Sequence, residues 1–215
     1  ICSWSEEYTA FHIRELGNVT KHVSDMKTGD TLHMRGPYGR GYPVDKFHGK
    51  SLILIGGGCG VAPLKAVISY LEKHKEKFNE ISMYFGFRSP ENICFKEEMV
   101  KWKRKFDVHI TVDQNPNKVK TTCDVCFITD VLAKSKLSPE NKVVFMCGPP
   151  VMMNIAINHL KNKGFKEEQM YISAERLMNC AIGVCGHCMI NGKYTCLDGP
   201  VFRYDEVSGL PDIKK

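Results

Sequence analysis

Two rhythms and one cluster predict a mixed fold: a strand-bearing start, a parallel α/β body and a loop-rich end. From Ser51 onward, short continuous apolar runs alternate with stretches of helical spacing, the pattern of a parallel sheet covered by helices on both faces. Before that, the first 45 residues hold short strand-like stretches broken by turns. The last forty residues change to Cys, Gly and polar residues. They are too loop-rich to build a core alone.

In chain order, Ala10–Arg14 and Thr31–Arg35 read as strands, with Val19–Met26 as one short helix and Lys27–Asp30 as a turn between them. Gly36–Pro43 is too rich in Gly and Pro for regular structure and reads as a loop between domains. Ser51–Ile55 is an apolar run ending in glycines, the mark of a strand buried on both faces. Pro63–Lys77 places Leu64, Val67, Ile68 and Leu71 on one helical face. Ile81–Phe85, Val108–Val112 and Val143–Cys147 repeat the buried-strand pattern, and Met170–Ala174 adds one more. Helices are expected over Phe95–Lys105, Asp130–Ser135 and Val151–Lys163.

The composition excludes several classes. A chain of 215 residues holds one large domain or two small ones, and it can bury a core without disulfides. No apolar run approaches the ~18 residues of a membrane helix, so membrane insertion is not expected. The start, Ile1-Cys2-Ser3-Trp4, lacks a Met, a basic stretch and an apolar stretch, so no signal peptide is visible and the chain reads as cut from something longer. The net charge of +6 comes from scattered basic residues with no aromatic-interleaved stripe, so no nucleic-acid partner is expected.

The cysteines carry the strongest chemistry. Of ten, four form Cys180-x4-Cys185-x2-Cys188-x7-Cys196. A four-residue gap, a two-residue gap and a more distant fourth cysteine is the plant-type [2Fe–2S] spacing. Gly183 and Gly186 lie between the ligands, where the backbone must bend closely around the cluster. The rival is a structural zinc, which takes four thiolates as two closely spaced pairs; the long first gap and distant last ligand favour iron. His187 lies inside the motif as a hydrogen-bonding or surface residue, since four thiolates already complete the site. Clustered thiols without a secretory signal point to a reducing compartment, the cytoplasm. Cys123-x2-Cys126 offers only two ligands and reads as two small loop residues.

A second motif follows the first buried strand. Gly56-Gly57-Gly58-Cys59-Gly60-Val61-Ala62-Pro63 leads into a helix, and glycines there let the backbone approach a pyrophosphate at the helix N-terminus. Three glycines also make a plain sharp turn, and the spacing is not GxGxxG; the strand–loop–helix context favours a nucleotide. Cys147-Gly148-Pro149-Pro150 ends another buried strand, and two such strand ends would line one crevice. Taken alone, Cys147 reads as a small buried hydrophobe.

Gly17-Asn18-Val19-Thr20, Arg35-Gly36-Pro37-Tyr38-Gly39, Gly56–Pro63, Phe85-Gly86-Phe87-Arg88, Cys147–Pro150 and the four cysteines stand in an order that resembles ferredoxin–NADP reductase-like electron-transfer subunits. Among these, the gamma subunits of nickel–iron hydrogenases and sulfhydrogenases are similar. So are the corresponding subunit of anaerobic sulfite reductase and the electron-transfer subunit of dihydroorotate dehydrogenase. The resemblance implies three parts: 1–45 as the C-terminal portion of an antiparallel FAD-binding barrel, 46–174 as a parallel-sheet NAD(P)-binding α/β domain, and 175–215 as a [2Fe–2S] segment. The family's Arg-x-Tyr/Phe-Ser flavin motif belongs upstream of Ile1, with the first barrel strands.

By position, the resemblance assigns FAD contacts to His12, Ile13, Arg14, Gly17, Val19 and Thr20. It assigns the nicotinamide nucleotide to Gly56, Gly57, Gly58, Cys59, Gly60, Val61, Ala62, Pro63, Arg88, Cys147, Gly148, Pro149 and Pro150. The metal ligands are Cys180, Cys185, Cys188 and Cys196. Arg14 suits a phosphate because a guanidinium offers fixed donors; a surface charge explains it equally well from sequence alone. Glu175 stands just before the cluster loop, as a neighbour of the nicotinamide or a turn cap. No general acid or base is expected. The implied activity is an NAD(P)H-dependent oxidoreductase subunit that relays electrons through FAD and the cluster to or from a catalytic subunit of an anaerobic reductase or hydrogenase. A non-enzymatic NAD(P)-binding redox sensor and a zinc-stabilised interaction domain are the alternatives.

Overall fold

Leu52, Ile53, Leu54 and Ile55 are each 1% exposed or less, and they decide how the molecule is layered. The structure, a computed structural model, describes residues 1–208. The four side chains belong to β1 (Ser51–Gly57), where neighbours point to opposite faces. Leu52 and Leu54 pack with Leu64, Ile68 and Leu71 of α2 (Val61–Lys73) and with Met99 and Trp102 of α3 (Lys96–Lys105). Ile53 and Ile55 pack on the other side with Ile128 and Leu132 of α4 (Ile128–Lys134) and Ile157 and Leu160 of α5 (Pro150–Asn162). Burying one such side chain stabilises the fold by roughly 1.5–3 kcal/mol, so a strand apolar on both faces belongs at the centre. The short helix before them, α1, spans Asn18–Asp25.

The sheet has the order β4-β3-β2-β1-β5-β6-β9. Its strands are β2 (Ile81–Phe87), β3 (Asp107–Val112), β4 (Asp124–Val125), β5 (Lys142–Cys147), β6 (Met170–Ser173) and β9 (Val201–Arg203). All pair parallel except β9, which runs antiparallel to β6. From β1 the chain moves outward through β2, β3 and β4, then crosses to the other side for β5 and β6. The reversal falls between β1 and β5, and a ligand crevice is expected outside the carboxyl ends of strands at such a point. A small hairpin, β7 (Met189–Ile190) with β8 (Lys193–Tyr194), stands apart. Among the described residues no helix is long and apolar enough to cross a membrane.

The expected elements of the α/β body form, with ends shifted by one to four residues. The N-terminal expectation is corrected. The helix forms at Asn18–Asp25, but Ala10–Arg14 and Thr31–Arg35 are not strands. A strand persists only when a ladder and a packed face hold it, and neither segment has a strand alongside it among the described residues. Side chains anchor this region instead. Trp4 meets Tyr70 edge-on at 5.1 Å, with Lys73 Nζ 5.0 Å from the Trp4 ring centroid. The Tyr42 hydroxyl donates to the Met146 carbonyl at 2.7 Å.

The tail packs onto the body. The segment after residue 174, too loop-rich to build a core alone, returns to the body: Phe202 of β9 lies opposite Ile172 and is 2% exposed, and Val207 of α6 (Tyr204–Val207) is fully buried. An uncovered β6 would leave unpaired backbone groups at a sheet edge; β9 covers them.

Candidate functional site

Gly56 of β1 is the register partner of Cys147 of β5, so the two backbone-permissive loops leave the sheet side by side. The glycine loop lies hard against its neighbour. A Cβ at Gly60 would meet the Cys147 carbonyl and lie 2.7 Å from the Gly148 nitrogen. Gly58 has φ +53° and nothing within 4 Å of a Cβ position, leaving its outer side open to a ligand. A cavity of about 430 Å³ opens there, lined by Arg14, Gly57–Gly60, Cys147–Pro150, Met153 and Ser173–Arg176. Burial pushes the Cys147 thiol up to about 11, against a hydrogen bond from Ser173 that lowers it. It is a neutral thiol at pH 7.

A second cavity of about 630 Å³ shares Gly57, Gly58 and Pro149 with the first. It runs past Gly86, Phe87, Arg88 and Asp113 to Phe127–Asp130, Val151, Met152 and Ile155. Together they form a trough across the carboxyl edge of β5, β1, β2 and β3. A larger cavity of about 1340 Å³ sits near the starts of β2 and β3, among Lys75, Ser82, Asp107 and Lys142. It touches none of the residues assigned to a nucleotide, flavin or metal, and the glycines and strand ends argue for the trough.

The four C-terminal thiols come together as two pairs. Cys180 and Cys185 interact side chain to side chain, and so do Cys188 and Cys196. Backbone N–H groups of the loop point at sulfur: Val184 and Cys185 donate to Cys180 Sγ at 3.4 and 3.3 Å. Such donors hold the Cys180 thiol below its ordinary value and bring Cys185 down to about 7. Cys188 and Cys196 are buried beside Ala181 and Tyr38, and burial pushes the Cys196 thiol up. All four are free of disulfides. Among the described residues no three His, Cys, Asp or Glu side chains gather around one point as ligands of a single ion; the thiols gather pairwise. Thr195, next to Cys196, is fully buried, and its hydroxyl has no hydrogen-bond partner among the described residues. His187 is exposed.

The loop is tied to the trough. Ser173–Arg176 line the smaller cavity and run directly into Cys180. The Arg35 guanidinium donates to the Cys180 carbonyl at 2.9 Å, and the Arg40 N–H donates to the Gly199 carbonyl.

The remaining sequence-predicted residues divide. Arg14 lines the trough. His12 packs on Phe95, ring centroids 5.2 Å apart, with Nε2 3.7 Å from Cys94 Sγ. Ile13 and Val19 are exposed. Thr20 folds back on its own turn, accepting from Leu16 N at 2.8 Å and Gly17 N at 3.0 Å. Val61 and Ala62 bury their side chains in the core, and neither they, Pro63 nor Gly56 lines the trough. Cys123 and Cys126 line separate cavities and do not converge. Sequence reasoning missed Ser173, Asp113 and the Phe127–Asp130 stretch. Asp113 follows directly on β3, but it and the others reach the trough through geometry that no spacing signals.

A sequence profile described as the oxidoreductase NAD-binding domain matches residues 54–158. One described as the iron–sulfur cluster binding domain of dihydroorotate dehydrogenase B matches residues 175–208. Sulfhydrogenase 2 subunit gamma of Pyrococcus furiosus is 36% identical over 208 residues, covering 89% of this chain and 72% of that protein. The probable dihydroorotate dehydrogenase B (NAD(+)) electron transfer subunit of Thermococcus kodakarensis is 35% identical over 200 residues, covering 92% and 76%. Among solved structures, an NADH-dependent reduced ferredoxin–NADP oxidoreductase superposes with a TM-score of 0.69 at 24% identity, over 94% of this chain and 69% of that one.

Proposed function

Because the chain belongs to the family of electron-transfer subunits that includes the sulfhydrogenase gamma and dihydroorotate dehydrogenase B proteins, we propose that it relays electrons between NAD(P)H, FAD and a [2Fe–2S] cluster. The far end of the relay is a catalytic subunit of a multi-subunit anaerobic hydrogenase or reductase. One observation carries the reading: the thiol loop begins where the nucleotide trough ends, at Ser173–Arg176. The chain thus passes from the wall of the crevice beside the glycine loop directly into the four-cysteine segment, as an electron path needs.

The residues present fit the groups. Two thiol pairs, with backbone donors already aimed at sulfur, match four thiolates shared between two irons. Thr195 supports the same reading, since a sulfur acceptor beside Cys196 would satisfy its buried hydroxyl. The open side of Gly58 and the close approach enforced at Gly60 suit a pyrophosphate lying on backbone. When bound, flavin and cluster supply the conversion between two-electron hydride chemistry and single-electron transfer.

The chain's own side chains bind, orient and exclude water. The neutral Cys147 thiol walls the crevice without adding charge beside the nicotinamide. Arg14 faces the same crevice and offers a cation to a phosphate of FAD or nucleotide, with the turn at Gly17–Thr20 as a further phosphate contact. Leu177, Ile182, Val184, Met189 and Leu197 are exposed around the thiols; an apolar rim of this kind suits a partner protein. We place the protein in the cytoplasm, a reading supported by ten free cysteines.

The test is NAD(P)H-driven reduction of a one-electron dye by protein reconstituted with FAD, iron and sulfide. Turnover that disappears when Cys185 is replaced by Ala supports the relay. Nucleotide binding without turnover would instead mark a sensor, and a colourless zinc protein an interaction domain.

A further inference from the structure

We infer that Arg35 is a positioning residue that sets the reduction potential of the cluster: its guanidinium, held on the Cys180 carbonyl and the Tyr38 ring, places a fixed positive charge beside the ligand loop. This rests on the cluster reading of the four thiols. Residues 35–40 hold the cysteine segment at both ends. At one end the Arg35 guanidinium donates to the Cys180 carbonyl at 2.9 Å, across 145 positions of chain. At the other the Arg40 N–H donates to the Gly199 carbonyl, and Val201 N donates back to the Arg40 carbonyl at 3.4 Å. The four cysteines run from one tie to the other.

Between the ties the contact is close. Tyr38 packs against Ala181, Cys188 and Cys196. Gly39 has φ +73°, and a Cβ there would run into the Gly199 carbonyl, so the two backbones touch. The guanidinium carbon of Arg35 lies 5.5 Å from the Tyr38 ring centroid, a stacking that suits a planar cation. The ring that packs on two ligand residues therefore also seats the charge.

Charge gives the direction. Reduction adds one negative charge to a centre already held by four thiolates, and a nearby cation stabilises the reduced form more than the oxidised one. The N–H donors on Cys180 Sγ act in the same sense. Other charges of the segment are engaged elsewhere: the Asp198 carboxylate accepts from Tyr194 N at 2.8 Å, and Lys193 pairs with Glu206 at 3.2 Å. Arg35 is exposed, so water screens it and the effect is about threefold to tenfold in the one-electron equilibrium.

The experiment reconstitutes the protein and its variants with iron and sulfide and reads the cluster's midpoint potential in a reductive titration followed by electron paramagnetic resonance. Arg35→Gln keeps a donor and removes the charge. It should bind iron as the parent does and make reduction about threefold to tenfold less favourable, a midpoint lower by ~30–60 mV at about 59 mV per factor of ten. Arg35→Lys keeps the charge and should stay within about twofold of the parent. Should Arg35→Gln load less iron, Arg35→Met takes its place, since its stem still covers Tyr38 and the same shift is expected. A parent-like midpoint in the uncharged variants, or an equal shift in Arg35→Lys, overturns the inference and leaves the cluster standing. Loss of iron from both uncharged variants overturns it too, by making Arg35 a structural tie alone. A parent that assembles no iron–sulfur centre overturns both the inference and the cluster reading.

Discussion

Cys147 and Gly60 show how single residues shape the crevice. The Cys147 thiol, raised to about 11 by burial, reacts only as its rare thiolate, while Cys59 on the adjoining loop is exposed. Iodoacetamide at pH 8 should label Cys59 at least about tenfold faster than Cys147, measured by peptide mass spectrometry. The raised value also makes a stability statement. The native state keeps this proton up to about pH 11, while the unfolded chain releases it near the ordinary 9.0. Stability from this group is complete below pH 9 and is lost as pH rises toward 11, by up to about 2–3 kcal/mol. Urea unfolding at pH 8 and pH 10.5 should show that loss in the parent and a smaller one in Cys147→Ala. At Gly60 an added methyl meets immovable backbone of Cys147 and Gly148. Gly60→Ala should lower stability by about 1–3 kcal/mol and weaken 5′-AMP binding, as thermal melts and calorimetry would show.

At the scale of elements, legibility followed burial. β1, β2 and β5 are apolar on both faces, and continuous runs of that kind announce themselves. The glycine loop and the cysteine spacing were legible because each needs particular residue types at fixed separations. Three features were not. Val201–Arg203 is too short to carry a period, and it becomes a strand only because the edge of β6 accepts it. Ala10–Arg14 and Thr31–Arg35 have strand composition but no ladder, so local preference had nothing to act through. Asp113 and Phe127–Asp130 meet in space after a connection whose path spacing does not encode. The role of β9 is measurable. Phe202→Ala should cost about 3–5 kcal/mol in denaturant unfolding and unfold the body in one transition, since Phe202 shares a core with Ile53, Ile55 and Leu160. A loss below ~1 kcal/mol would mean that the tail is an appendage.

For the whole molecule, the sheet acts as a frame that brings two loop systems to one end. The switch between β1 and β5 opens the nucleotide trough, and β6 carries the chain from that trough into the thiol loop. The exposed apolar rim at Leu177, Ile182 and Val184 lies where electrons would leave. Leu177→Glu should therefore lower turnover coupled to the catalytic partner by about tenfold while leaving dye reduction by the isolated protein unchanged. All of this depends on what the paired thiols hold. Iron and acid-labile sulfide analysis of the anaerobically purified protein, joined to electron paramagnetic resonance after reduction, tests that most directly. The account predicts about two irons and two sulfides per chain with the signal of a reduced [2Fe–2S] centre; a single iron, or stoichiometric zinc with no signal, would contradict it.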